Sequence, residues 1–303
     1  MDANLFNSRF DLSFDYYVRN ITDMLQQFTV PIFVGMTSPW QNAGSMRNNG
    51  WDLSVGWKDR IINLNYYIIA NLSDVKNKIT NLYGKKYIGG YTITEEGHPI
   101  NSYYGYVSDG YFNSQEEIDK ATCVYGGNKK NIKPGYIRYK DLVDNDPKNP
   151  KIDSKDRTII GDPRPRYLYS FTLGGNCKGL DFSFFFQGVG KKDIFYTGAG
   201  ARPLISYCTL YKNQLNYWTP EHKDAAYPLL LVDATGSNQN NIVSDFWIKS
   251  GAYLRLKNIV IGYTLPKSLT KKISLDKIRF YLSAQNLFTI SSCLKGYDPE
   301  NSI

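Results

Sequence analysis

The side chains able to do chemistry are few and scattered. Cys123, Cys177, Cys208 and Cys293 lie far apart with no Cys-x-x-Cys spacing, so neither a zinc site nor a dithiol redox pair is assembled locally. His98 stands between Gly97 and Pro99, and His222 follows Pro220 and Glu221, without a triad or ligand partner nearby; both read as loop histidines. The pairs Glu95-Glu96 and Glu116-Glu117 are adjacent in sequence. Neighbouring side chains diverge on a helix or a strand, so they do not form an acid and base around one substrate. The acidic run DLVDNDPKNPKIDSKD, from Asp141 to Asp156, reads by default as a solvated loop. No Ser-His-Asp order, phosphate-binding glycine loop or Cys-His arrangement emerges, and the chain reads as a protein that is not an enzyme.

Charge excludes a second class. The 36 Lys and Arg exceed the 28 Asp and Glu, giving a net charge of +8, but the cations occur as isolated residues or short pairs such as Lys129-Lys130, Lys191-Lys192 and Lys271-Lys272. A nucleic-acid groove needs a clustered basic stripe with stacking aromatics, so no nucleic-acid partner is expected.

What remains is an aromatic load of 25 Tyr, 15 Phe and 5 Trp in a chain of 303 residues, whose mean hydropathy is nevertheless −0.41. Tyr and Trp suit places where one end is apolar and the other wet, and all three suit strands. No stretch approaches the roughly 18 apolar residues of a spanning helix. Met1 to Phe10 lacks a basic region followed by an apolar one, so no signal peptide is read there. Transmembrane strands of about 10 alternating residues would be hidden in such a polar average.

The clearest pattern runs from Tyr167 to Gln187. With Lys178 and Gly179 as a turn, Cys177 faces Leu180, Gly175 faces Phe182, Leu173 faces Phe184 and Phe171 faces Phe186; the other face is mostly small or polar. A one-residue slip would move the whole apolar set across, so the coincidence argues for a hairpin. A second hairpin, turning at Asp59 and Arg60, pairs Trp57 with Ile62, Val55 with Leu64, Leu53 with Tyr66 and Trp51 with Ile68. Alternation also predicts strands over residues 8–18, 102–107, 245–265 (one or two) and 277–288, and Ser114 caps a short helix ending at Lys120. Residues 22–48, 73–100, 113–166 and 188–244 read as irregular. Tight turns thus alternate with connections of tens of residues, which places short connections at one end of the strands and long ones at the other.

At these residues the chain resembles a known family. RNNGWDLSVGW (47–57), NLSDVKNKIT (71–80), PGYIRYKDL (134–142), DSKDRTIIGDPRPRY (153–167), FSFFFQGVG (182–190), FWIKSGAYLRLKNIVIGYTLP (246–266) and SAQNLFTI (283–290) are similar to the C-terminal barrel region of the SusC/RagA family, in that family's order. The resemblance implies an all-β fold: a segment of an antiparallel transmembrane barrel of about 22 strands, with short periplasmic turns and long extracellular loops. It implies a TonB-dependent transporter of the bacterial outer membrane, typical of Bacteroidota, that imports oligosaccharides or peptides. The implied partners are TonB, acting through an N-terminal part, a SusD-like surface lipoprotein and the membrane lipid. Residues 1–303 are expected to be the C-terminal portion of such a barrel, without plug, signal peptide or final strand. Phe171, Leu173, Phe182, Phe184, Phe186, Trp51, Leu53, Val55, Trp57, Ile278, Phe280 and Leu282 are assigned to the lipid-facing side. The family often carries an EF-hand-like acidic loop, and in that scheme Asp141, Asp144, Asp146, Asp153 and Asp156 would ligate a structural Ca²⁺. Pro147, in place of the turn glycine, and Lys148 and Lys151 depart from that pattern. No other cofactor is implied.

Two other readings remain: a secreted or surface β-sandwich that binds glycans without transport, and an inactive fragment of a split transporter gene. An open sheet leaves unpaired N–H and C=O groups at its edges, each costing several kcal/mol in hydrocarbon. Expressed alone, residues 1–303 are therefore expected not to close into a pore; a heat-modifiable monomer conducting ions in planar bilayers would be the contrary result.

Overall fold

A computed structural model describes residues 1–27, 35, 39–42, 44–143, 150–232 and 238–300. The chain divides into two units. Unit 1 comprises Met1–Gly84, Arg164–Lys192 and Gly251–Ser292; unit 2 comprises Lys85–Pro163, Asp193–Ser250 and Cys293–Ile303.

Among the described residues, unit 1 is built on one eight-stranded sheet: β1 (Asp2–Leu5), β2 (Phe10–Ile21), β3 (Ser45–Ile61), β4 (Leu64–Asn81), β5 (Arg166–Cys177), β6 (Leu180–Lys191), β7 (Tyr253–Thr264) and β8 (Arg279–Ser291). Each strand pairs antiparallel with the next in sequence, an up-and-down meander. Connections at 6–9, 62–63, 178–179 and 265–278 leave one end of the strands; those at 22–44, 82–165 and 192–252 leave the other. The expected alternation of short and long connections holds. Pro266, which has no N–H for a ladder, follows β7, and a helical turn, Lys267–Thr270, leads toward β8.

The β5–β6 hairpin has the expected register, from Cys177 opposite Leu180 to Phe171 opposite Phe186. Its turn residues take φ of +46° (Lys178) and +90° (Gly179), the left-handed pair that matches strand twist in a two-residue turn. The β3–β4 hairpin differs from expectation. Its turn lies at Ile62 and Asn63, so Trp57 pairs with Ile68, Val55 with Ala70, Leu53 with Leu72 and Trp51 with Asp74. Moving the turn by three residues shifts every partner by six. Because six is even, each side chain stays on its assigned face, and alternation alone could not tell the registers apart. The later turn adds ladder pairs out to Ile61 opposite Leu64, and Asp59-Arg60 has little intrinsic turn preference. Strands also run beyond their expected limits: β2 to Ile21, β3 from Ser45, β4 to Asn81 and β8 to Ser291, whereas Ile278 precedes β8 and accepts the Leu265 N–H at its carbonyl.

The ladders carry one apolar face across the sheet. Successive cross-strand rows read Phe10, Trp57, Ile68, Leu173, Phe184, Ile259, Ala284 and Leu12, Val55, Ala70, Phe171, Phe186, Leu256, Phe288. A register shift between Leu256 and Asn258 keeps Leu256 and Ile259 on this face although their numbers differ in parity. Phe171 stacks on Phe186 with centroids 4.3 Å apart. Phe182, Phe184 and Phe186 are half-buried, and the edge residues Phe280 and Leu282 are 65% and 75% exposed.

The hydrophobic clusters belong to unit 2. The largest gathers Tyr103, Tyr106, Ile137, Tyr139, Phe195 and Trp247; another packs Phe112 on Ile118, Val124 and Ile132. Unit 2 also holds a four-stranded antiparallel sheet in the order Thr158–Gly161, Ser102–Gly105, Thr92–Thr94, Tyr87–Gly89. The short helix Gln115–Lys120 begins as expected, with the Glu117 N–H donating to the Ser114 hydroxyl at 3.2 Å.

Close contacts across the sheet generate a test. A Cβ added to Gly188 would lie 2.4 Å from the Tyr253 carbonyl oxygen and 2.4 Å from the Tyr169 ring, whereas one added to Gly56 meets nothing nearer than 3.5 Å. Gly188→Ala should lower stability by about 1–3 kcal/mol in urea unfolding of the full-length receptor in detergent, and Gly56→Ala should be neutral or slightly stabilising.

Candidate functional site

The face of the unit 1 sheet opposite the aromatic rows is polar. Its rows include Ser13, Ser54, Asn71, Ser170, Gln187, Arg255, Thr289 and Arg60, Asn65, Asn176, Asp181. The side chains bond along the rows: Asn65 Nδ2 donates to Asn176 Oδ1 at 2.9 Å, Asn71 Nδ2 to Ser170 Oγ at 3.1 Å, Arg255 Nε to Thr289 Oγ1 at 2.7 Å, and Arg279 Nε to Asp181 Oδ1 at 3.0 Å. These spacings follow from register, since directly opposed Cβ atoms lie about 5 Å apart. A surface of amides, hydroxyls and paired charges can stay wet and offer a polar solute both donors and acceptors.

Unit 2 carries an aromatic site of its own. Arg202 is buried, its guanidinium 5.1 Å from the Phe195 ring and 5.2 Å from the Trp247 ring, with Nε donating to the Tyr196 carbonyl at 3.2 Å. A cavity of about 160 Å³ is lined by Tyr196, Tyr227, Phe246, Trp247, Lys249 and Leu294. The Lys249 ammonium lies 5.1 Å from the Phe246 ring, and burial holds its pKa below the usual lysine range. Among the described residues the arrangement offers ring faces and donors rather than a nucleophile beside a base.

Eleven of the twelve residues assigned to the apolar side share one face of the sheet; Ile278 lies outside the strands. Four corrections of partner apply within that set: Trp51 faces Asp74 rather than Ile68, Leu53 faces Leu72 rather than Tyr66, Val55 faces Ala70 rather than Leu64, and Trp57 faces Ile68 rather than Ile62. Trp57 also donates through its indole N–H to the Tyr66 hydroxyl at 3.2 Å. Sequence reasoning missed a bidentate ion pair at the end of this face, in which the buried Asp74 is held by the partly buried Arg166. The one available signal was an aspartate falling on the apolar parity of β4.

Of the acidic run, Asp144 and Asp146 lie outside the described residues. Asp156 is fully buried and accepts the backbone N–H groups of Leu142 (2.9 Å), Val143 (3.1 Å) and Asp153 (2.8 Å). Asp153 caps the turn Ser154–Asp156 through the Lys155 N–H and sits 3.6 Å from Lys151 Nζ. Asp141 accepts the Cys123 thiol at 3.3 Å. Burial, followed by Asp141, pushes that thiol up to about 11, so it stays protonated at neutral pH. Among the described residues, no three His, Cys, Asp or Glu side chains gather as a metal site. Burial would raise the Asp156 carboxyl, but its backbone donors outweigh burial and hold it below the usual carboxylate range. A depressed folded pKa stabilises above the unfolded value and is lost as pH falls through the folded one. Resistance of the turn Ser154–Asp156 to proteolysis should therefore fall below about pH 4, and Asp156→Ala should remove it at neutral pH at a cost of about 1–3 kcal/mol.

No family model matches the chain. It is 30% identical over 99% of its length to TonB-dependent receptor P3 of Formosa agariphila, and 27% identical over 99% to TonB-dependent receptor SusC of Bacteroides thetaiotaomicron. A solved structure of the RagAB peptide transporter superposes on 99% of the chain with a TM-score of 0.75 at 29% identity. The chain spans about 30% of the length of the curated relatives and 32% of that transporter chain. In sequence and in fold the chain is thus similar, nearly end to end, to one stretch of the SusC/RagA-like TonB-dependent receptors of the bacterial outer membrane.

Proposed function

We propose that this chain forms wall strands of an outer-membrane barrel that imports a nutrient, with the aromatic face of the sheet toward lipid and the polar face toward the interior. The observation that carries this reading is the apolar face that continues from strand to strand across β2 to β8, opposite a face made mostly of small and polar residues. At about 3.3 Å per residue and a tilt of about 40°, the apolar stretch of β4 from Leu64 to Leu72 climbs roughly 20 Å. Aromatic rows adjoin it, Tyr16 and Trp51 at the long-connection end and Tyr263 and Phe280 at the other, where a barrel of this kind keeps its girdles. The half-buried Phe182, Phe184 and Phe186 row, with the hydrophobic clusters confined to unit 2, supports lipid as the apolar neighbour rather than a second sheet.

In this reading the rest of the barrel pairs with the free edges of β1 and β8, because unpaired backbone groups are not tolerated in hydrocarbon. The substrate is an oligosaccharide or a peptide; one relative of known structure is described as a peptide transporter. Energy comes through TonB, and a SusD-like lipoprotein is the surface partner. The ring faces and donors of unit 2 suit either substrate class. Two neighbouring substitutions test the facing. In the full-length receptor, Phe184→Arg should cost about 2–4 kcal/mol in folding into lipid vesicles, and Ser183→Arg much less. Equal losses would overturn the assignment of faces.

A further inference from the structure

The aromatic face of unit 1 continues, at its long-connection end, into a basic patch. Beyond the row Tyr16, Trp51, Asp74, the next rows on the same face are Val18, Asn49, Lys76 and then Asn20, Arg47, Lys78. Arg47 and Lys78 are direct cross-strand partners, and Lys76 stands one row below. Like charges placed opposite each other on neighbouring strands repel. All three side chains are exposed, and among the described residues none has a carboxylate at ion-pair distance. Asp74, the acid on this face below them, is bound to Arg166. Arg47 Nε donates to Asn49 Oδ1 at 3.0 Å, which steadies the guanidinium along the strand. Two cations of the polar face have carboxylate partners, Lys58 meeting Asp11 at 3.5 Å and Arg279 meeting Asp181 at 3.0 Å, while Arg60 there donates to the Ile62 carbonyl at 3.0 Å. Uncompensated positive charge is thus gathered where the apolar face ends.

We propose that Arg47, Lys76 and Lys78 bind the phosphate groups of the phosphorylated glycolipid of the outer leaflet. The inference rests on the facing proposed above. With about 5 Å of height per row, the cations stand roughly 5 and 10 Å beyond the Trp51 row, at the depth of lipid headgroups. Guanidinium and ammonium groups suit phosphate oxygens, and each cation near an anionic lipid surface adds to attraction. A glycolipid fits better than a soluble anion, because the apolar rows directly below the patch would receive the acyl chains hanging from the same headgroup.

The test uses the full-length receptor purified in detergent from outer membranes, with lipid A, phosphatidylglycerol and inorganic phosphate as probes. Combined Arg47→Ser, Lys76→Ser and Lys78→Ser substitutions should weaken lipid A binding by about a hundredfold, while Lys58→Ser on the other face should leave it unchanged. Native mass spectrometry of the wild-type protein should show lipid A retained in preference to phosphatidylglycerol. Unchanged lipid A affinity in the triple variant would overturn the proposal. So would displacement of lipid A by inorganic phosphate at matching concentration, which would mark a free-anion site, or equal retention of phosphatidylglycerol. Equal folding losses for Phe184→Arg and Ser183→Arg would instead remove the facing itself. A preserved facing with no change in lipid A binding removes only this site.

Discussion

A peptide group that leaves water must keep its hydrogen bonds, and the ladders between successive strands are how this chain meets that requirement. Each strand from β2 to β7 has a ladder partner on both sides, although β1 covers only Phe10–Ser13 of β2 and β5 only Leu64–Ser73 of β4, so most of its backbone donors and acceptors are used before any side chain is considered. Once register is set, side-chain chemistry sorts itself: one parity of each strand makes the aromatic rows and the other makes the rows of Ser, Asn, Gln and paired charges. Even the irregularity between Leu256 and Asn258 preserves that sorting, since the extra residue returns Ile259 to the same side as Leu256.

The exceptions on the apolar face are confined to its end. Asp74 would be costly in hydrocarbon as a lone carboxylate, but it lies in the row of Tyr16 and Trp51, near the edge of the apolar band, and it is neutralised by Arg166. Tyr169 shows a quieter accommodation. Its ring covers Gly188 and its hydroxyl donates to the Tyr253 carbonyl at 3.0 Å, so a polar tip on the aromatic side finds a backbone partner.

Much of unit 1 could be read from residues alone, and the reasons differ by element. Lys178 and Gly179 mark their turn because glycine accepts a left-handed conformation, and parity then aligns every phenylalanine of β5 and β6. Ile62 and Asn63 escaped, because the same parity is satisfied by any even displacement and a β-branched residue at φ +54° is not a turn signal. Unit 2 was opaque for another reason. Its interior joins residues far apart in the chain, as where Tyr103 meets Phe195 at 5.8 Å or Trp218 donates to Asn113 at 3.0 Å. No local period encodes such encounters. Ser114 and its helix were legible because a cap is a local bond.

The separation of short from long connections has a consequence for how such a protein can change. The entropic cost of closing a loop grows only with the logarithm of its length, about 0.6 kcal/mol per doubling. Insertions into the connections at 82–165 or 192–252 therefore perturb the sheet little, while a single inserted residue in β5 or β6 would invert a whole strand. Recognition can diversify by exchanging whole segments on a scaffold that tolerates almost no frameshift in its pairing, a modularity that comes from geometry alone.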